Sequence, residues 1–86
     1  MADEEEGGVQ YVLTTENNEV KPTSRNYNGK AVANYANGDS YDGMYSEGIR
    51  EGRGCYMYAS LGEKYDGEWV KNMKHGIGKM NYAKDF

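Results

Sequence analysis

Tyr41-Asp42-Gly43-Met44-Tyr45 returns as Tyr65-Asp66-Gly67-Glu68-Trp69, and this return decides the fold. Eleven residues after each opening tyrosine comes a Gly-x-Gly, first Gly52-Arg53-Gly54 and then Gly76-Ile77-Gly78. Four residues beyond the second glycine stands Tyr-Ala, as Tyr58-Ala59 and Tyr82-Ala83. Agreement at so many spaced positions marks an internal repeat. The same spacing laid backwards from Tyr35-Ala36 places Gly29 on the first glycine and Ala31 on the second. Residues 27–40 therefore read as the closing half of a degraded unit, followed by full units at 41–64 and 65–86. (Tyr27-x-Gly29 also fits an opening half, but the distance to Tyr35 favours the closing register.)

Composition says what the units are made of. Nine Tyr, one Trp and one Phe stand beside twelve Gly and a single Pro, with little Leu or Ile. Aromatic side chains suit a pleated surface and glycine suits turns, so the class is all-β. Strands are expected near 31–35, 40–45, 54–58, 64–70 and 78–82. Asn37-Gly38 marks a tight turn between two of them, and turns of loop-like composition are expected near 46–52 and 71–76. Consecutive strands with short connections make an antiparallel meander.

Side chains alternate between the two faces of a strand. One face then collects Tyr41, Tyr45, Tyr56, Tyr58, Tyr65, Trp69 and Tyr82, with Gly43, Gly54, Gly67 and Gly78 between the rings. Each such glycine opens a slot for a ring from the neighbouring strand, and paired rings contribute about 0.5–1.5 kcal/mol beyond area burial. The other face carries Asp42, Cys55, Met57, Asp66, Glu68, Lys79 and Asn81. The rings either fill the only core available or form a protein-binding groove, since Tyr and Trp are frequent at interaction hot spots. So few units are marginal alone, which predicts a flat, unfinished slab whose open end expects more sheet, another copy or a partner.

Residues 1–26 fall outside the repeat. Met1 to Gly8 reads as an acidic disordered tail, Val9 to Thr15 as a candidate edge strand, and Glu16 to Arg25 as a linker. The acids Asp3, Glu4, Glu5, Glu6, Glu16 and Glu19 against Lys21 and Arg25 account for the whole net charge of −4. The repeat region is neutral, which argues against nucleic acid as a partner. No apolar run approaches the roughly 18–20 residues of a membrane-spanning helix, and the acidic start is no secretory or transit signal. With one cysteine, Cys55, there is no internal disulfide. A cytoplasmic chain is expected.

In these residues the pattern resembles the MORN repeat, the membrane occupation and recognition nexus motif. Tyr-x-Gly-x-aromatic at 41–45 and 65–69 matches its opening. Gly52-Arg53-Gly54 and Lys74-His75-Gly76-Ile77-Gly78-Lys79 match its middle; Ala31 and the extra residue near Leu61 depart from it. The resemblance implies an elongated single-layer antiparallel sheet of hairpins. It also implies a scaffold of the kind found in ciliary radial spoke heads, protist cytoskeletal assemblies and junctional membrane proteins, or appended to lipid kinases and a lysine methyltransferase.

No catalytic constellation is apparent. His75, the only histidine, lies in a turn that the repeat itself dictates. Cys55 would need a cationic neighbourhood to be reactive; Arg53 shares its stretch, but an ordinary surface or interface thiol is the plainer reading. The Gly-x-Gly motifs precede strands rather than helices, so they are not phosphate loops. Arg50, Arg53, Lys71, Lys74, His75 and Lys79 cluster near the Gly-x-Gly turns, where they would form an edge for anionic phospholipid or be ordinary solvated charge. The expected function is thus a non-enzymatic scaffold or protein-interaction module, without cofactor, metal or small-molecule substrate. Its partners would be other subunits or another copy, in the ciliary axoneme or another cytoskeletal complex. The alternatives are a phospholipid-attachment module and the non-catalytic N-terminal part of a longer enzyme.

Overall fold

The computed structural model describes residues 10–81 of the chain. The acidic tail at 1–8, Val9, Tyr82 and the end of the last repeat lie outside them. Seven strands form one open antiparallel sheet: β1 (Tyr11–Thr15), β2 (Val20–Lys21), β3 (Gly29–Tyr35), β4 (Ser40–Ser46), β5 (Ile49–Tyr58), β6 (Glu63–Val70) and β7 (Met73–Asn81). Their spatial order is β2-β1-β3-β4-β5-β6-β7, a meander apart from the step over β1. The expected all-β, single-layer architecture is what the molecule adopts.

The turns expected over 46–52 and 71–76 are shorter than that, a correction. β4 and β5 are joined by Glu47-Gly48 alone, with φ of 52° and 82°, and β6 and β7 by Lys71-Asn72, with φ of 50° and 69°. Two successive residues at positive φ make the two-residue hairpin turn whose twist matches the flanking strands. β5 and β7 therefore begin several residues before the Gly-x-Gly, which lies inside each strand. Gly52 and Gly76 hold positive φ, 93° and 64°, as bulge residues. Gly43 pairs with Gly54 while Tyr45 pairs with Arg50, so three residues of β5 face Met44 alone. In the next hairpin Gly67 pairs with Gly78 and Glu68 with His75, leaving Gly76 and Ile77 unmatched on β6. Bulges increase the local twist. The body measures 41 × 27 × 26 Å, a twisted slab rather than a flat one.

The segment before the repeats is also more built than the sequence suggested. Tyr11–Thr15 is a strand, but it is not at the edge: β2 pairs with it on one side and β3 on the other. The expected linker carries β2, and its continuation reaches the β4–β5 turn. Ser24 is buried there. Its backbone N–H donates to the Tyr11 phenol oxygen at 2.8 Å, and its hydroxyl donates to the Gly48 carbonyl at 2.9 Å. The Gly48 N–H in turn donates to the Tyr27 carbonyl at 2.9 Å. Thr15 is buried too, its hydroxyl oxygen accepting from the N–H groups of Asn17 and Glu19 in the β1–β2 turn. These buried polar groups are hydrogen-bonded, Thr15 within its own turn and Ser24 to distant residues, which is what lets a polar stretch lie against a core.

The core lies on one face. Leu13, Ala31, Ala33, Tyr35, Tyr41, Tyr45, Tyr65 and Trp69 are buried, with Tyr11, Tyr27, Tyr56, Tyr58 and Met80 packed against them. Ala31 sits opposite Gly43 in the small-residue row that continues through Gly54, Gly67 and Gly78. Gly29 is equivalent to Gly52 and Gly76, and its φ of 125° is likewise positive. Gly29 pairs with Tyr45 as Gly52 pairs with Trp69.

Candidate functional site: the aromatic face and its cations

The repeat places one ring across two strands. The Tyr41 phenol donates to the Met44 carbonyl at 2.9 Å, and Tyr65 repeats this with the Glu68 carbonyl at 3.1 Å. Each ring lies over the small residues of its own strand and the next, so a Cβ added at Gly54 would overlap Tyr41, and one at Gly78 would overlap Tyr65. The slots at Gly54 and Gly78 take a ring from the neighbouring strand as expected, whereas those at Gly43 and Gly67 lie under the tyrosine of their own strand. Trp69 then stands edge-on to both rings, with centroids at 5.4 Å from Tyr41 and 5.5 Å from Tyr65, and its indole N–H donates to the Gly54 carbonyl at 3.1 Å. Edge-to-face geometry sets the positive rim of one ring against the negative face of another.

A second row of rings runs beside this one. Tyr11 and Tyr35 are 5.3 Å apart, Tyr35 and Tyr56 stack at 5.8 Å, and Tyr56 and Tyr58 approach to 4.7 Å. Of the seven aromatics expected on this face, Tyr41, Tyr45, Tyr65 and Trp69 are buried core, while Tyr56 and Tyr58 are half-buried at its surface. Tyr82 lies outside the described residues. Burial pushes the Tyr41, Tyr45 and Tyr56 phenols up from the ordinary tyrosine range; at Tyr56 the hydrogen bond to Asp39 adds to it.

The six bases do not form one edge. Arg50 follows the Glu47-Gly48 turn, pairs with Tyr45 and lies on the aromatic face. Its guanidinium carbon is 4.8 Å from the Trp69 centroid and 5.7 Å from those of Tyr41 and Tyr56. Asn72 holds it there. The Asn72 side-chain oxygen accepts from the Arg50 backbone N–H at 2.9 Å and from Nε at 3.2 Å, and the Asn72 carbonyl accepts from Nη2 at 3.2 Å. Lys74 pairs with Trp69, and its Nζ stands 4.9 Å from the Tyr58 centroid and 5.1 Å from that of Tyr65. A cation over a ring contributes about 0.5–1 kcal/mol when exposed and about 2 when desolvated. Arg53 instead bridges Asp66 at 3.2 Å between exposed side chains. Lys79 pairs with Asp66, His75 with Glu68, and Lys71 is exposed in its turn.

Sequence reasoning missed Asn72, Asp39 and Ser24. Asn72 had a signal, because asparagine tolerates the left-handed backbone of a two-residue turn. Asp39 accepts from the Ala59 N–H at 2.8 Å and the Tyr56 phenol at 3.0 Å, tying two hairpin ends together. Cys55 is partly covered, and burial pushes its thiol up, away from the reactive thiolate form. Among the described residues no group of three or more His, Cys, Asp or Glu could hold a metal ion. Nor is any helix there long and apolar enough to cross a membrane.

The model of one protein family, the MORN repeat, matches residues 41–62 and 65–85, half of the chain. No curated protein matches it.

Proposed function

This chain belongs to the MORN-repeat family, and from that membership we propose that it is a non-enzymatic protein-interaction scaffold within a larger assembly. MORN repeats occur in protein-interaction or membrane-binding modules. Between these, the observation that favours a protein partner is the half-buried pair Tyr56 and Tyr58, rings already held against each other and, at Tyr56, against the buried Tyr35 before anything binds. Rigid aromatics with a polar tip lose little side-chain freedom on docking and are frequent at hot spots. A membrane surface draws instead on bases gathered on one side, and here they are divided between the two faces.

The partners we infer are other subunits or a second copy of the chain, in the cytoplasm. A cytoskeletal complex is the setting we infer, the radial spoke head of a ciliary axoneme being the type the family resemblance suggests. Two measurements test this. A photo-crosslinking residue at Tyr58 in the native complex should capture a protein subunit, while the same probe at Met57 on the opposite face should not. A tagged chain should follow the axoneme in ciliated cells. Capture from Met57 alone, or of lipid alone, overturns the reading.

A further inference from the structure

Arg50 and Lys74 are cations without carboxylate partners among the described residues, and both lie against rings. Asp42, Asp66 and Glu68 belong to the opposite face, and Asp39 is already engaged by Ala59 and Tyr56. Glu63, which pairs with Tyr58, is the acid of β6 on the aromatic face, and it forms no ion pair with Arg50 or Lys74. Asn72 occupies Nε and one hydrogen of Nη2 of Arg50. Three guanidinium hydrogens remain, two on Nη1 and one on Nη2, and together they present the fork that fits the two oxygens of a carboxylate. Arg50 is half-buried and its guanidinium is fixed in plane by Asn72 and the rings, so this fork is held ready rather than assembled on contact.

We propose that this shelf binds an acidic, partly apolar peptide segment of a protein partner. A carboxylate would meet the free edge of Arg50 and the Lys74 ammonium on either side of Trp69, and an apolar side chain would lie on Tyr56 and Tyr58. The inference rests on the scaffold reading above and names the chemistry of its partner. A narrow peptide chain reaches a recessed guanidinium; a bilayer plane meets bases that project. Nor does the neutral repeat body supply the broad basic field that nucleic acid requires.

The test follows the Trp69 indole N–H and Arg50 Nε–H resonances of the full chain by NMR. The titrants are a synthetic peptide alternating glutamate and leucine, the same peptide with glutamine, inorganic phosphate, and phosphatidylcholine vesicles with and without phosphatidylserine. Saturable shifts with the glutamate peptide are expected, weakened about tenfold by the glutamine change and about tenfold by Arg50→Gln or Lys74→Gln. Lys74 is exposed, so Lys74→Gln keeps the test valid if Arg50→Gln fails to fold. An equal response to the glutamine peptide overturns the acidic partner but leaves the scaffold reading intact. Equal shifts from phosphate, or preferential capture by anionic vesicles, overturn it as a peptide site. No shift with any peptide overturns it as well, while the scaffold reading then stands or falls on the Tyr58 crosslink.

Discussion

The carboxylate of Asp39, in the turn between β3 and β4, accepts the phenol proton of Tyr56, on the adjoining hairpin, at 3.0 Å. Its second oxygen takes the Ala59 N–H at 2.8 Å, so one side chain fastens two turns that are distant in sequence. Asp39→Ala removes both acceptors at once. We expect a loss of about 1–3 kcal/mol in urea unfolding, with Asp39→Asn losing less because one acceptor survives. Equal stability of all three proteins would show that the clasp contributes nothing.

Two alanine substitutions separate space from backbone. Gly54→Ala drives a methyl group into Tyr41 and should cost about 1–3 kcal/mol or more. At Gly76 a Cβ would meet nothing within 4 Å, but φ is +64°. Gly76→Ala should therefore cost only about 1–2 kcal/mol, and Gly76→Asn less than that, because asparagine tolerates this conformation. Thermal melts of the three variants check the order.

Alkali should unfold the molecule through its tyrosines. Tyr41, Tyr45 and Tyr56 titrate above the ordinary value of about 10 when folded. Their contribution is present in full below that ordinary value and is lost as pH rises towards the folded one. A plateau of stability up to about pH 10, followed by a steep fall, is expected from circular dichroism. Phenolate absorbance should rise with unfolding rather than before it. Smooth ionisation of every tyrosine in a folded sheet would contradict the burial of these rings.

Ser24→Ala tests the packed segment ahead of the repeats. It removes the bond to the Gly48 carbonyl and the 3.0 Å contact with the Tyr11 phenol. A loss of about 1–3 kcal/mol is expected. The double variant with Tyr11→Phe should lose less than the sum of the two single changes.

The repeat, its strands and its faces were legible because tyrosine and glycine recur at fixed offsets, and side-chain alternation follows from strand geometry alone. The hairpin ends were not. Gly52 and Gly76 look like loop residues in a sequence, because a bulge glycine and a turn glycine share the same backbone preference. Only the register, Gly43 on Gly54 but Tyr45 on Arg50, tells them apart. Arg50 has the composition of solvated turn charge; its place above Trp69 depends on Asn72, which belongs to another hairpin. Ser24 was hidden for the same reason, since its partners Tyr11 and Gly48 are remote along the chain.

The two margins of the sheet are unequal. At one, β2 is only two residues long and runs into Pro22, which has no N–H to offer. At the other, β7 extends for nine residues, with Met73 66% and Ile77 84% exposed and no described strand beyond it. Among the described residues the two margins thus differ in what they offer a further strand: nine residues of backbone at β7, against two residues and a proline at β2.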